Sequence, residues 1–159
     1  MSIQALAALA RRLNQEAGAP DVPSLFFLTD PERTPDPIAA ARRLPAETAV
    51  IYRHFGASNR VRMARDLARI CRARRLRLLI AADPHLAERV GAAGVHWPER
   101  RLPEARAVGL ALTTASAHSR AAVMRAAQCG VDACLLGPVF DTRSASANAR
   151  LGLFRASQI

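Results

Sequence analysis

The feature that most narrows what this chain can fold into is an alternation repeated along its length. A short apolar run ends in polar residues, an amphipathic stretch with helical spacing follows, and another apolar run begins. The apolar runs are residues 24–30, 49–53, 76–81, 94–97, 109–114 and 133–140. Successive units take up about 15 to 27 residues, enough for the helical crossover that parallel strands need. The pattern predicts an α/β fold with a parallel sheet. An open doubly wound sheet and a closed barrel both satisfy it. No G-x-G-x-x-G follows the first strand, as a dinucleotide-binding fold of the first kind would have, and Gly91-Ala92-Ala93-Gly94 falls between a helix and a strand, where it reads as a turn.

The helical stretches carry their own punctuation. Ser2 caps a helix to about Ala17 that sets Leu6, Leu9, Ala10 and Leu13 on one face and stops at Gly18. Residues 38–44 predict a short helix. Ser58 or Asn59 caps the next, in which Ala64, Leu67, Ala68 and Cys71 share the i, i+3, i+4, i+7 face while Arg62, Arg65, Arg69 and Arg72 lie largely elsewhere. Asp83-Pro84 starts another, with Leu86 and Val90 inward and Gly91 as its stop. Residues 102–108 read as helical, and Ser119 caps a helix over residues 120–129.

A chain of 159 residues, half of them hydrophobic, has enough material for one core, so residues 1–159 are read as a single domain. No apolar run approaches the roughly 18 residues of a membrane span, and the first residues carry Arg11, Arg12 and Glu16 without a secretory-signal pattern. The expectation is a cytoplasmic protein with no membrane partner. The net charge of +10 comes with 23 basic residues that are all Arg, scattered over several helices, and only seven aromatic side chains are available for base stacking. Nucleic acid is not the expected partner. Without Lys, Schiff-base and P-loop lysine chemistry are excluded. Cys71, Cys129 and Cys134 form no C-x-x-C pair and read as buried thiols rather than a disulfide framework or metal set.

Polar residues cluster where the strands end: Thr29 and Asp30, Arg53 and His54, His96, Ser116 and His118, and Thr142 to Ser146. The stretch from Gly130 to Arg150 shows the plan most fully, with an apolar run broken at Gly137-Pro138 and then a loop of small polar residues, Ala and Arg. Groups at the ends of many parallel strands converge only if the strands curve into a barrel. Among them His96 reads as packing, and His54 and His85 read as surface residues.

Four pieces, in order, resemble the thiamine-phosphate synthase/TenI family of (β/α)8 barrels: Phe27-Leu28-Thr29-Asp30, Gly94-Val95-His96, Ala115-Ser116-Ala117-His118-Ser119 after the fifth strand, and Gly137-Pro138-Val139-Phe140-Asp141-Thr142 after the sixth. The resemblance implies a TIM-barrel type fold and two related chemistries. The synthase joins a pyrimidine diphosphate to a thiazole phosphate with Mg²⁺, and the TenI branch moves protons to aromatise a thiazole phosphate. The synthase pattern of Gln, Arg and Lys in the second strand aligns with Ile51, Arg53 and Phe55. Its Asn-Asp pair aligns with Ala81-Ala82, and a further acidic residue with Arg101, although Asp83 and Glu99 lie close by. Mg²⁺ needs oxygen ligands, which Ala and Arg do not supply.

The family's Ser-x-His matches Ser116 and His118, and imidazole serves as acid or base near neutral pH. The resemblance therefore implies a TenI-like protein in which His118 passes the proton. Arg53, Ser116, Thr142, Arg143 and Ser144 would hold the phosphate, Arg143 supplying the charge of the family lysine that aligns with Ala145. No cofactor and no metal are expected, with Mg²⁺ only for the synthase alternative. A third alternative is a non-catalytic or truncated relative that binds thiazole or thiamine phosphate. A complete barrel has eight strands, and this chain supplies about six βα units, residues 151–159 being too few for a helix and two more strands. Two open sheet edges are then expected, covered by another chain, by the N-terminal helix or by the tail, and a homo-oligomer is expected on that ground.

Overall fold

The computed structural model describes residues 1–106, 108–142 and 150–159. The chain forms two compact units, residues 1–95 and 96–159. The first contains α1 (Ile3–Glu16), β1 (Phe26–Leu28), α2 (Pro37–Arg42), β2 (Ala49–Tyr52), α3 (Arg60–Ala73), β3 (Arg77–Ala81) and α4 (Pro84–Val90). The boundary falls within β4 (Gly94–Trp97). Beyond it the second unit holds a 3-10 turn at Glu99–Arg101, β5 (Leu112–Ala117), α5 (Arg120–Gln128), β6 (Ala133–Leu136) and α6 (Gly152–Ser157).

In the first unit the strands are parallel and neighbours in chain order. Phe26 pairs with Ala49 and Leu28 with Ile51, and Ala49 pairs with Arg77 and Tyr52 with Ile80. β2 is covered on both faces: Ala49, Val50, Ile51 and Tyr52 are all fully buried. That is why it reads as an unbroken apolar run rather than an alternating one. α3 packs against the neighbouring β3, and its Ala64, Leu67, Ala68 and Cys71 are buried as the helical spacing predicts. Burial also pushes the Cys71 thiol up to about 12, so it stays a protonated packing group. The caps are local chemistry. Ser2 accepts from the Ala5 amide, Asp36 from Ala39 and Asp83 from Leu86, with Pro37 and Pro84 at positions where a helix needs no amide hydrogen.

α1 forms where expected but does not bury its leucines. Its packed side is Ala7, while Leu6, Leu9 and Leu13 are 37%, 37% and 52% exposed. Part of its anchorage is polar, through the Asn14 side chain donating to the Val22 carbonyl at 2.9 Å.

In the second unit β5 and β6 are parallel, with Thr114 opposite Ala133 and Ala117 opposite Leu136. Three sequence expectations are corrected here. β5 begins at Leu112 rather than Gly109, so Ala115, Ser116 and Ala117 belong to the strand and not to the loop after it. Its start is set by a partner: Asp132 accepts the Thr113 amide at 2.7 Å and an Arg106 guanidinium hydrogen at 2.7 Å. β6 ends at Leu136: the Gly137 amide still donates to the Ala117 carbonyl at 3.0 Å, and Pro138, which has no amide hydrogen, cannot continue the ladder. Among the described residues of 102–108 there is no helix. Arg106 instead donates to Gly130 O and Asp132, and Pro103, which lacks an amide hydrogen, offers its carbonyl to Cys129 Sγ. Cys129 and Cys134 are half-buried rather than buried. The short α6 in the tail was not anticipated.

No helix among the described residues is long and apolar enough to cross a membrane. Leu67 is fully buried against the sheet, so Leu67→Ala should cost about 2–5 kcal/mol of stability. Urea unfolding followed by circular dichroism checks this, and a loss under about 1 kcal/mol would show that the α3 seam is loosely packed.

Candidate functional site

Each unit carries polar side chains at the carboxyl ends of its strands, and they are used differently. In the first unit, Arg53 follows β2. Its amide donates to Thr29 Oγ1 at 3.0 Å, its Nε donates to the Thr29 carbonyl at 2.9 Å, and its Nη2 lies 3.6 Å from Asp30. Asp30 also accepts from the Glu32 and Arg33 amides. Arg53 thus ties β2 to the loop after β1. Arg60, at the start of α3, donates to the His54 and Ala81 carbonyls, each at 3.0 Å, and sits over the rings of Tyr52 and Phe55. His54 is half-buried rather than the surface residue expected from sequence: its Nε2 is buried without a hydrogen-bond partner among the described residues, and its ring packs 5.0 Å from that of Tyr52. Burial holds the His54 pKa below its ordinary value; Asp30 pulls it up, and Arg53 and Arg60 push it further down.

The second unit groups hydroxyl and imidazole side chains around β5. Thr114 and Ser116 lie two apart on β5 and therefore on one face. His96, only 1% exposed, meets both: Nδ1 is 2.9 Å from Thr114 Oγ1 and Nε2 is 2.9 Å from Ser116 Oγ. His118 comes directly after β5 and is half-buried. Its amide donates to Glu99 Oε2 at 2.8 Å, and Glu99 Oε1 accepts from Arg125 at 3.2 Å. His118 Nδ1 is hydrogen-bonded to the Gly137 carbonyl. A carbonyl oxygen only accepts, so Nδ1 carries the hydrogen and the Nε2 lone pair of the neutral ring is left to take a proton. His118 also lines an open cavity of about 400 Å³ together with Arg120, Phe154, Arg155 and Ile159.

Of the residues singled out from sequence, Ser116 and His118 are thus brought together at the end of β5. Arg53 is in the first unit with its guanidinium engaged. Thr142 is exposed, and Arg143 and Ser144 lie outside the described residues. Sequence reasoning missed His96 and Thr114. The available signal was the period-two spacing of Thr114 and Ser116, hidden when the strand was placed three residues early. It noted Glu99 only as an acidic neighbour, not as the group that holds the His118 amide.

The Mg²⁺ of the synthase alternative can be tested against the donors present. Ala81 and Ala82 have no oxygen ligand on their side chains. Asp83 spends Oδ1 on the Leu86 amide and sets Oδ2 3.8 Å from Arg60, and both Glu99 oxygens are taken. Among the described residues no three His, Cys, Asp or Glu side chains are grouped to hold a metal. These residues do not fit an octahedral Mg²⁺ site.

Parallel βα units with polar groups at the carboxyl ends of the strands define a protein of the α/β class. The family model described as thiamine monophosphate synthase matches residues 25–159, and the chain belongs to that family. It is 34% identical over 131 residues to a thiamine-phosphate synthase of Chromobacterium violaceum, a match covering 74% of this chain and 61% of the relative. It therefore spans less than two thirds of that relative's length. A solved structure, a thiamine phosphate pyrophosphorylase from Pyrococcus furiosus, superimposes with a TM-score of 0.71 at 22% identity, covering 84% of this chain and 67% of the other. The fold is of the TIM-barrel type, as the resemblance implies.

Two measurements test the local geometry. Glu99→Ala should raise hydrogen exchange at the His118 amide on the order of tenfold, since a charged acceptor is lost; unchanged exchange would mean Glu99 does not hold that backbone. His54, with its pKa depressed on folding, binds protons more readily in the unfolded chain. Its contribution is complete above the ordinary value of 6.5 and is lost as pH falls through the folded value. The stability advantage of wild type over His54→Gln should therefore shrink between about pH 7.5 and about pH 5.5. A constant difference in paired urea titrations would contradict it.

Proposed function

We propose that this chain binds a thiazole phosphate and moves a proton on its ring, with His118 as the acid–base group. The observation that carries the reading is the hydrogen bond from His118 Nδ1 to the Gly137 carbonyl, which leaves Nε2 as the proton acceptor in a ring that borders a cavity. Nε2 takes a proton from one ring atom of the substrate and returns it to another, so the product is an isomer and no oxidant or metal takes part. Ser116 donates to the phosphate, and Arg120 and Arg155, which line the same cavity, supply positive charge for it. Thr142, Arg143 and Ser144 are assigned to the same phosphate as further donors. Arg53, already engaged with Thr29 and Asp30, is not needed for the reading.

A second reading, condensation of a pyrimidine diphosphate with a thiazole phosphate, is favoured by the likeness to a protein described as a thiamine-phosphate synthase. The donor set argues against it, because the leaving diphosphate of that reaction is clamped by Mg²⁺ and the residues here do not suit the ion.

Incubation with thiazole phosphate in deuterated water, followed by mass spectrometry, tests the first reading. Wild type should incorporate deuterium into the ring, and His118→Ala should slow incorporation about 10²-fold or more while unfolding at the same urea concentration. Equal rates would remove His118 from the chemistry. Formation of thiamine phosphate from both substrates with Mg²⁺, without ring exchange, would replace the first reading by the second.

A further inference from the structure

The hydroxyl that the proposed function places on the phosphate is committed on its other side. Ser116 Oγ, His96 and Thr114 Oγ1 form a row with both imidazole nitrogens engaged at 2.9 Å. Thr114 is fully buried and His96 is 1% exposed, whereas Ser116 is half-buried. The row is sealed at the threonine and opens at the serine.

A neutral imidazole has one N–H donor and one acceptor nitrogen. The directions of its two hydrogen bonds are therefore linked. With the hydrogen on Nε2, His96 donates to Ser116 Oγ and accepts from Thr114, and the single hydrogen of Ser116 points away from the ring. With the hydrogen on Nδ1, Ser116 spends that hydrogen on Nε2 and presents only lone pairs. A phosphate dianion offers acceptor oxygens alone, so it is repelled by the second arrangement and bound by the first.

We propose that His96 is a positioning residue, which through the Thr114–His96–Ser116 row aims the Ser116 hydroxyl at the phosphate, so that phosphate binding selects the Nε2–H tautomer of His96. The inference rests on the reading that Ser116 contacts the phosphate, and it assigns a task to a buried histidine that packing alone would leave idle. Thr114 gains one as well: its hydroxyl is the only group in the row that supplies the hydrogen Nδ1 must accept when Nε2 donates.

The test uses the full chain labelled with ¹⁵N-histidine and the thiazole phosphate as the probe, with the unphosphorylated thiazole alcohol as the control. His96 is assigned from the resonances missing in His96→Gln. On saturation with the probe, the ring nitrogens of His96 should report hydrogen on Nε2 and an acceptor at Nδ1. The unphosphorylated alcohol should not produce this response, and Ser116→Ala should abolish it. Calorimetry should show affinity for the probe reduced on the order of tenfold in His96→Leu, the loss of one well-aimed hydrogen bond, and largely restored in His96→Gln, whose amide still donates to Ser116. If His96→Leu fails to fold, Thr114→Val, which removes the hydrogen supplied to Nδ1, should lower affinity in the same direction. Binding with hydrogen on Nδ1, or a folded His96→Leu that binds as wild type does, would overturn the inference while leaving the phosphate reading in place. Failure of wild type to bind the probe at all would overturn both.

Discussion

The parallel pairing of β5 with β6 is the constraint on which the chemistry of the second unit depends. Its last rung sets Ala117 opposite Leu136, and the Gly137 amide then donates to the Ala117 carbonyl. One residue further on, the Gly137 carbonyl meets the imidazole of His118. The atom that decides which nitrogen of His118 holds the hydrogen is therefore a main-chain oxygen, positioned by a sheet ladder rather than by a second side chain. The amide of the same histidine is held by Glu99, so backbone and ring are fixed by separate partners. A shift of β6 by one residue would remove the acceptor and turn the strand's side chains to the opposite face.

The two units treat similar residues in different ways. In the first, the polar groups after β2 and β3 close loops: Arg53 spends its Nε on Thr29, Arg60 bridges two carbonyls, and Asp83 caps a helix. Charged groups used in this manner stabilise the strand ends and leave little for a ligand. The same economy explains the poor fit to Mg²⁺, since the nearby carboxylates already have hydrogen-bond donors and two positions of the family pattern are alanine. In the second unit the His118 ring meets a main-chain carbonyl through Nδ1, and Ser116 meets the buried His96.

The accuracy of the sequence reading followed the range of the forces involved. The caps at Ser2, Asp83 and Ser119 involve partners three residues away, and the buried face of α3 is set by helical spacing. Such features are written locally. The stretch over residues 102–108 has helical residues but is held otherwise by Arg106, which reaches Gly130 and Asp132 across more than twenty positions. The start of β5 was misplaced for the same reason, because Asp132 and the register with β6 decide it. With the strand displaced, the shared face of Thr114 and Ser116 could not be seen, and His96 read as packing.

The order of elements and their parallel connection were determined by the sequence itself, because they follow from local periodicity and capping, while an ordered set of short motifs carried the resemblance to barrel proteins and pointed to Ser116 and His118. Which nitrogen of His118 is available, what holds its backbone, and what stands behind Ser116 were decided only by the tertiary structure. Those properties depend on hydrogen bonds between groups 19 or 20 residues apart, and their direction is set by strand register, which no local pattern in the chain encodes.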